Sequence, residues 1–242
     1  YGEAFRSPDV FELYSAIEAI LGNRYLKPET VSVLESEISY TDGDLYLSIS
    51  AFHSVQEKLI NRENIEVSDN AAEASIVSQR FINEGRIDSW GVEAECKINV
   101  SKRVGINGSI SYQENEYQNG MKDAFGVPNL AVKLGIRYKD PVFNTGMFVS
   151  HYDYMGDPVG YTVPFPNANP QVKSFDYATL NCDMNISELL QLGKHHSDVI
   201  VNIYLVNLFN EDIHYPEFGR KFVNSSPGRP KFGLYGGVKI MF

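Results

Sequence analysis

From Phe232 to Phe242 every second position is apolar or glycine (Phe232, Leu234, Gly236, Val238, Ile240, Phe242), and Lys231, Gly233, Tyr235, Gly237, Lys239 and Met241 fall between. The same period of two separates Trp90, Val92, Ala94, Cys96, Ile98 and Val100 from Glu93, Glu95, Lys97 and Asn99. It recurs in Leu130, Val132, Leu134, Ile136 and Tyr138 against Asn129, Lys133 and Arg137, and in Ala178, Leu180, Cys182, Met184 and Ile186 against Thr179, Asn181, Asp183 and Asn185. A period of two is the mark of a strand with unlike faces. Alternation and turn signals predict ten strands, near 1–5, 31–40, 45–60, 86–100, 104–115, 129–138, 145–155, 174–187, 198–209 and 231–242. The connections at 41–44, 101–103, 139–144 and 188–197 are short, and those at 6–30, 61–85, 116–128, 156–173 and 210–230 are mostly long.

Short and long connections in strict alternation are expected of an antiparallel up-and-down barrel with short turns at one rim and long loops at the other. In water an apolar alternating strand such as 231–242 would invite pairing with other chains. A closed barrel in lipid removes that edge and gives the apolar face a matching solvent. Strand lengths near the ~9–11 residues of a tilted membrane strand, with Tyr40, Trp90, Tyr112, Tyr138 and Phe242 near strand ends, support the membrane form.

Composition narrows the partners. No apolar run reaches the ~20 residues of a membrane-spanning helix, so any bilayer crossing must use strands. With 21 Lys and Arg against 31 Asp and Glu the formal net charge is −10, and no basic stripe points to nucleic acid. No secretory signal opens the chain and Tyr1 falls inside a predicted strand, so the sequence reads as part of something longer. Cys96 and Cys182 fall on outward faces of strands several places apart, beyond the ~7 Å reach of a disulfide, and are expected to be free thiols.

Phe5-Arg6-Ser7-Pro8, Glu12-Leu13-Tyr14, Gly22-Asn23 and Leu26-Lys27-Pro28-Glu29-Thr30 resemble, in that order, a segment of TonB-dependent outer-membrane receptors. Gly91-Val92-Glu93 is similar to that family's "GxE" strand, Asn207-Leu208-Phe209-Asn210 with Tyr215 to its "NLF" box, and Pro227-Gly228-Arg229 to its lead into the terminal strand. Gly237, Ile240 and Phe242 resemble the assembly signal of outer-membrane barrels. The match departs at Ser7, where Ala is usual, and at Arg24-Tyr25, where a Pro is missing.

The resemblance implies that residues 1–242 are the C-terminal portion, about ten strands, of a 22-stranded plugged barrel in the bacterial outer membrane, with the plug domain absent. The implied partners are the N-terminal plug and remaining strands, the TonB energy-coupling system acting through the plug, lipid and lipopolysaccharide, and a scarce metal chelate. A ferric siderophore leads; cobalamin, haem or an oligosaccharide, and a passive porin or adhesin-like barrel, are the alternatives, with a soluble β-sandwich as a further class. Haem moves down because residues 5–30 contain no His, which haem receptors of this family often carry there.

No catalysis and no resident cofactor or metal are expected, since no G-x-S-x-G elbow occurs and no His stands beside a candidate nucleophile. Glu93 and Glu95 share a face with Lys97, which reads as a solvated lumen wall rather than an acid/base pair. His195-His196 falls in a predicted turn where neighbouring side chains diverge. Ligand candidates lie in the external loops and the vestibule: Tyr14, Tyr25, His151 near the outer end of its strand, Tyr154, Tyr161, Phe165, His214, Tyr215 and Arg220, with Phe218; the aromatic and Arg side chains suit an anionic aromatic chelate. Arg6 and Arg229, both within family motifs, are expected to hold loops and strand ends in place.

Overall fold

The computed structural model describes residues 1–17, 20–67, 76–122, 126–155, 172–191, 198–216 and 225–241. In chain order the elements are β1 (Gly2–Arg6), α1 (Val10–Tyr14), β2 (Ala16–Ile17), β3 (Ile20–Leu21), β4 (Glu29–Asp42), β5 (Leu45–Glu57), β6 (Ile60–Val67), β7 (Ile76–Asn83), β8 (Arg86–Asn99), β9 (Val104–Tyr117), β10 (Leu130–Lys139), β11 (Phe143–Tyr152), β12 (Phe175–Asn185), α2 (Ile186–Leu189), β13 (Asp198–Val206), β14 (His214–Pro216), β15 (Ser225–Pro227) and β16 (Gly233–Met241). One ten-stranded sheet has the order β1-β4-β5-β8-β9-β10-β11-β12-β13-β16. These are the ten strands that alternation predicts, each beside its neighbour in that prediction. β1 pairs with β4, and β9 through β13 and β16 pair in sequence, all antiparallel.

The chain divides into two compact units, one of residues 1–35, 52–90 and 115–122, the other of 36–51, 91–114 and 123–242. In the second unit the register draws one row across six strands, Ile106↔Ile136↔Met147↔Leu180↔Leu205↔Leu234. Every member is apolar, and Ile106, Ile136, Met147 and Leu234 are exposed. The adjacent row on the opposite face reads Gly105↔Arg137↔Gly146↔Asn181↔Tyr204↔Tyr235, and the next Asn107↔Gly135↔Phe148↔Thr179↔Val206↔Gly233. An exposed, unbroken apolar band backed by a face that carries Asn107, Arg137, Thr179 and Asn181 is the pattern expected of the two faces of a barrel wall. Cys96 and Cys182 are free thiols, on strands separated by β9, β10 and β11.

Strand ends move from the predicted positions for local reasons. β5 stops at Glu57 because Lys58 turns at φ 58. β12 stops at Asn185, whose side chain caps α2 by accepting the Glu188 N–H at 3.2 Å. β13 ends at Val206 because Asn207 adopts φ 50, a left-handed conformation that Asn tolerates better than most residues. Connections 6–30, 61–85 and 210–230, expected as loops, contain α1, β2, β3, β6, β7, β14 and β15. None of these joins the main sheet: β2-β3-β7-β6 and β14-β15 form sheets of their own. Two- to eight-residue pieces, several rich in charge, carry too little alternation to be read as strands.

The turn between β10 and β11 is set by Asp140. Its Oδ1 accepts the Val142 and Phe143 N–H groups at 2.9 and 2.7 Å, and its Oδ2 accepts the Tyr138 hydroxyl at 2.6 Å. The Tyr138 and Phe143 hydrogen bonds, helped by Val142 and the Arg103 charge, outweigh slight burial and hold this carboxyl below the usual range. A depressed folded value means that the turn's stabilisation is complete above the unfolded value, ~3.9, and lost as pH falls through the lower folded one. Amide-exchange protection at Val142 and Phe143 should therefore hold at neutral pH and fall below about pH 4; protection unchanged to pH 2 would contradict the assignment.

The two faces differ in what they tolerate. Leu134→Arg in the intact protein, refolded into lipid vesicles, should cost about 2–4 kcal/mol in a urea titration. Lys133→Ala, on the opposite face of the same strand, should change stability by less than about 0.5 kcal/mol.

Candidate functional site

Two clusters lie where long connections leave the sheet, one in each unit. In the first, Arg6 closes β1 opposite Glu29, which opens β4. Its Nε donates to Glu29 Oε2 at 2.6 Å, while Nη1 and Nη2 donate to Glu12 Oε2 and Oε1 at 3.1 and 3.0 Å. One guanidinium thus ties a strand end to a neighbouring strand and to α1 through a bidentate fork, the geometry that sets Arg apart from Lys. Glu12 is buried and also caps the helix: Asp9 Oδ1 accepts the Glu12 N–H at 2.7 Å, and Glu12 Oε2 accepts the Asp9 N–H at 2.8 Å. The other Glu29 oxygen accepts the Ile60 N–H at 2.7 Å, which anchors the start of β6.

The remainder of this motif packs the connection onto β7. Asn23 donates to the Phe81 carbonyl at 2.9 Å, Asn83 Oδ1 accepts the Lys27 N–H at 2.6 Å, and the Phe11 and Phe81 rings meet edge-on at 5.9 Å. Gly22 is required by contact: a Cβ there would stand 2.6 Å from the backbone nitrogens of Tyr14 and Ser15. Leu26 is half-buried, whereas Pro28 and Phe5 are exposed. Tyr14 is exposed with the Arg24 guanidinium 5.3 Å from its ring centre, and Tyr25 projects with 90% of its surface free.

The second unit holds a cluster of Met155, Val172, Phe175 and Ile213 with Tyr152, Tyr177 and Tyr215 packed against it. Arg229 donates from Nε to the Tyr215 hydroxyl at 3.0 Å and lies 4.5 Å over the Tyr177 ring. The Tyr215 hydrogen bond raises the Arg229 pKa against a partial burial that opposes it, so the cation is held firmly. Asn207 is fully buried; its Nδ2 donates to the Glu211 and Pro230 carbonyls at 2.9 and 3.0 Å, and its Oδ1 accepts the Glu211 N–H at 2.9 Å. Phe209 beside it is exposed.

The ligand candidates from sequence therefore fall into distinct situations. Tyr215 is engaged in packing, and His214 contacts the Ser225 hydroxyl through Nδ1 at 3.1 Å with Asp212 3.5 Å from its Nε2. His151 meets Asp176 at 2.8 Å as its register partner, in the same face as Met147 and Val149 of β11, which is the lipid side. Tyr154 is half exposed. Tyr161, Phe165, Phe218, Arg220, His195, His196 and Phe242 lie outside the described residues. On β8, Gly91 is buried and Glu93 exposed, and Lys97 pairs with Glu95 at 2.9 Å. Among the described residues no group of three or more His, Cys, Asp or Glu is placed to hold a metal ion. Sequence reading passed over Asp9 and Tyr177; the Asp9-x-x-Glu12 spacing, a capping-box signature, was the signal for the first, and the second carried none.

The comparisons with known proteins come down to one fold. The family described as "TonB dependent receptor-like, beta-barrel" matches residues 1–193. No curated protein matches the sequence. Among solved structures, the copper transporter OprC is similar at 16% identity and a TM-score of 0.69, over 99% of this chain and 36% of that one. A mutant of the ferric enterobactin receptor PfeA from Pseudomonas aeruginosa is similar at 15% identity and a TM-score of 0.70, over 99% and 37%. The siderophore receptor PirA from Acinetobacter baumannii is similar at 14% identity and a TM-score of 0.68, over 99% and 38%. This chain thus spans little more than a third of each.

Asn207→Ala removes the three hydrogen bonds of a buried amide and leaves the Glu211 and Pro230 carbonyls and the Glu211 N–H without them. It should destabilise the intact protein by about 3 kcal/mol in chemical unfolding, with Phe209→Ala below about 1 kcal/mol. A small effect of Asn207→Ala beside a large one of Phe209→Ala would show that the box is held by the ring and not by the amide.

Proposed function

This chain belongs to the TonB-dependent receptor family, and we propose that it forms part of the wall of an outer-membrane receptor that imports a ferric siderophore. Similarity in fold to receptors named for ferric enterobactin and for siderophores carries this reading. The exposed Tyr14 with Arg24 above it, and the exposed Tyr25, suit an anionic chelate bearing aromatic groups. In this reading Tyr14 and Tyr25 meet the ligand, and Tyr154, Tyr161, Phe165 and Arg220 are further ligand candidates in their own part of the chain. Tyr215, His214, Arg6 and Arg229 keep the loop bases in place. The proposed partners are a plug domain that completes the site, the TonB system that moves the plug, and lipopolysaccharide around the apolar band.

Copper import is the second reading, because OprC has the same fold at similar identity.

The test is transport by a strain lacking the gene, before and after complementation. Loss of uptake of one ferric siderophore, with copper and cobalamin accumulation unchanged, is the expected result. Normal uptake of every ferric chelate tried, with copper or cobalamin lost, would overturn it.

A further inference from the structure

Two asparagines tie the turn at residues 23–27 to β7, an element of a different long connection. Asn23 stands between α1 and β7: its N–H donates to the Glu12 carbonyl at 2.8 Å, and its Nδ2 to the Phe81 carbonyl at 2.9 Å. Its Oδ1 accepts the Tyr25 N–H at 3.0 Å, and its own carbonyl accepts the Leu26 N–H at 3.3 Å. At the far end of the turn Lys27 is taken up by Asn83, whose Oδ1 accepts the Lys27 N–H at 2.6 Å and whose Nδ2 donates to the Lys27 carbonyl at 2.8 Å. The same Nδ2 donates at 2.8 Å to the carbonyl of Lys58, the left-handed residue at which β5 ends. All these contacts lie within one compact unit.

An amide side chain that gives one acceptor and one donor to the two backbone groups of a single residue does what a neighbouring strand would do. Pro28, directly after Lys27, has no N–H with which to extend such a pairing, so the amide holds the turn where a ladder could not continue. Both ends of the turn are thus fixed to β7, and β7 is fixed to the end of β5. Between the clamped ends stand Arg24, 5.3 Å from the centre of the Tyr14 ring, and Tyr25. A surface ordered before its ligand arrives gives up less freedom on binding and binds more tightly for it.

We infer that Asn23 and Asn83 are positioning residues for the surface formed by Tyr14, Arg24 and Tyr25, so that the connection carrying β7 sets affinity through the turn that it holds in place. This rests on the reading of Tyr14 and Tyr25 as ligand contacts and adds to it the residues, 56 to 58 positions away in the chain, that decide how those contacts are presented.

The test is amide hydrogen exchange, resolved to single residues, on the intact receptor in detergent, for the parent, Asn83→Leu, Asn83→Ser and Asn64→Ala. Leucine keeps the volume of Asn83 and loses its three hydrogen bonds; serine is too short to reach both Lys27 groups. Asn64, which accepts from Gln79 at 3.2 Å on the same hairpin, is the control. In both Asn83 variants exchange should quicken about tenfold or more at Lys27 and also at Tyr25, whose N–H goes to Asn23. The β1–β4 ladder in those variants, and the whole turn in Asn64→Ala, should exchange as in the parent. Unchanged exchange at Tyr25 would overturn the inference, and so would equal quickening along the β1–β4 ladder, which would make Asn83 a general stabiliser. Uptake gives the second readout, with the ferric siderophore that the deletion strain fails to take up as the probe. Asn83→Leu should raise its half-saturating concentration about three- to tenfold and leave the maximal rate within about twofold. An unchanged half-saturating concentration, or a fall in the maximal rate alone, would overturn the role in binding. Normal uptake of every ferric siderophore by the deletion strain would undo the functional reading and leave the exchange result at Tyr25 standing.

Discussion

Backbone hydrogen bonding in lipid is the constraint on which everything else depends. A peptide group that faces hydrocarbon has no water to turn to, and the strand ladder must satisfy it. Once the ladder is laid down, the period of two assigns every side chain to lipid or lumen. The row from Ile106 to Leu234 and the rows behind it are the result: a one-residue slip of β10 or of β12 would place Arg137 or Asn181 in lipid. The register is therefore held by solvent on one side as much as by contacts on the other.

The polar groups that tie one element to another lie where strands become loops. Arg6 takes two carboxylates at once because Glu12 and Glu29 arrive from different elements, and Glu29 spends its second oxygen on the Ile60 N–H. At the other anchor a neutral amide does similar work: Asn207 holds both the Glu211 backbone and the Pro230 carbonyl. Both devices fix the roots of long connections while leaving aromatic residues such as Tyr14 and Tyr25 exposed. That division suits a receptor, whose loops must vary while the positions from which they spring do not.

β8, β10, β12 and β16 were legible because each repeats an apolar position five or six times, enough for the period to stand out, and the other strands of the main sheet were placed by turn signals and by the alternation of short and long connections. β6 and β7 were not: Asn61-Arg62-Glu63-Asn64 offers no apolar face, and the pair takes its order from β3 and from Asn23 and Asn83. α1 spans five residues, too few for a helical period, and only its capping box betrays it. Arg6 could be singled out by motif, but its two partners lie six and twenty-three positions away and are joined only by the fold. The facing of His151 does not follow from the sequence, because in β11 Met147 and Phe148 are both large and apolar and no period stands out. The register with Asp176 decides it.

The most direct test of the barrel wall is electron paramagnetic resonance on single spin labels at positions 133 to 138 of the intact receptor in lipid vesicles, with Cys96 and Cys182 replaced by Ser. Labels at 134, 136 and 138 should be relaxed by oxygen dissolved in the bilayer, and labels at 133, 135 and 137 should not. Water-soluble nickel complex reaching all six positions alike would contradict the assignment of these strands to a lipid-facing wall.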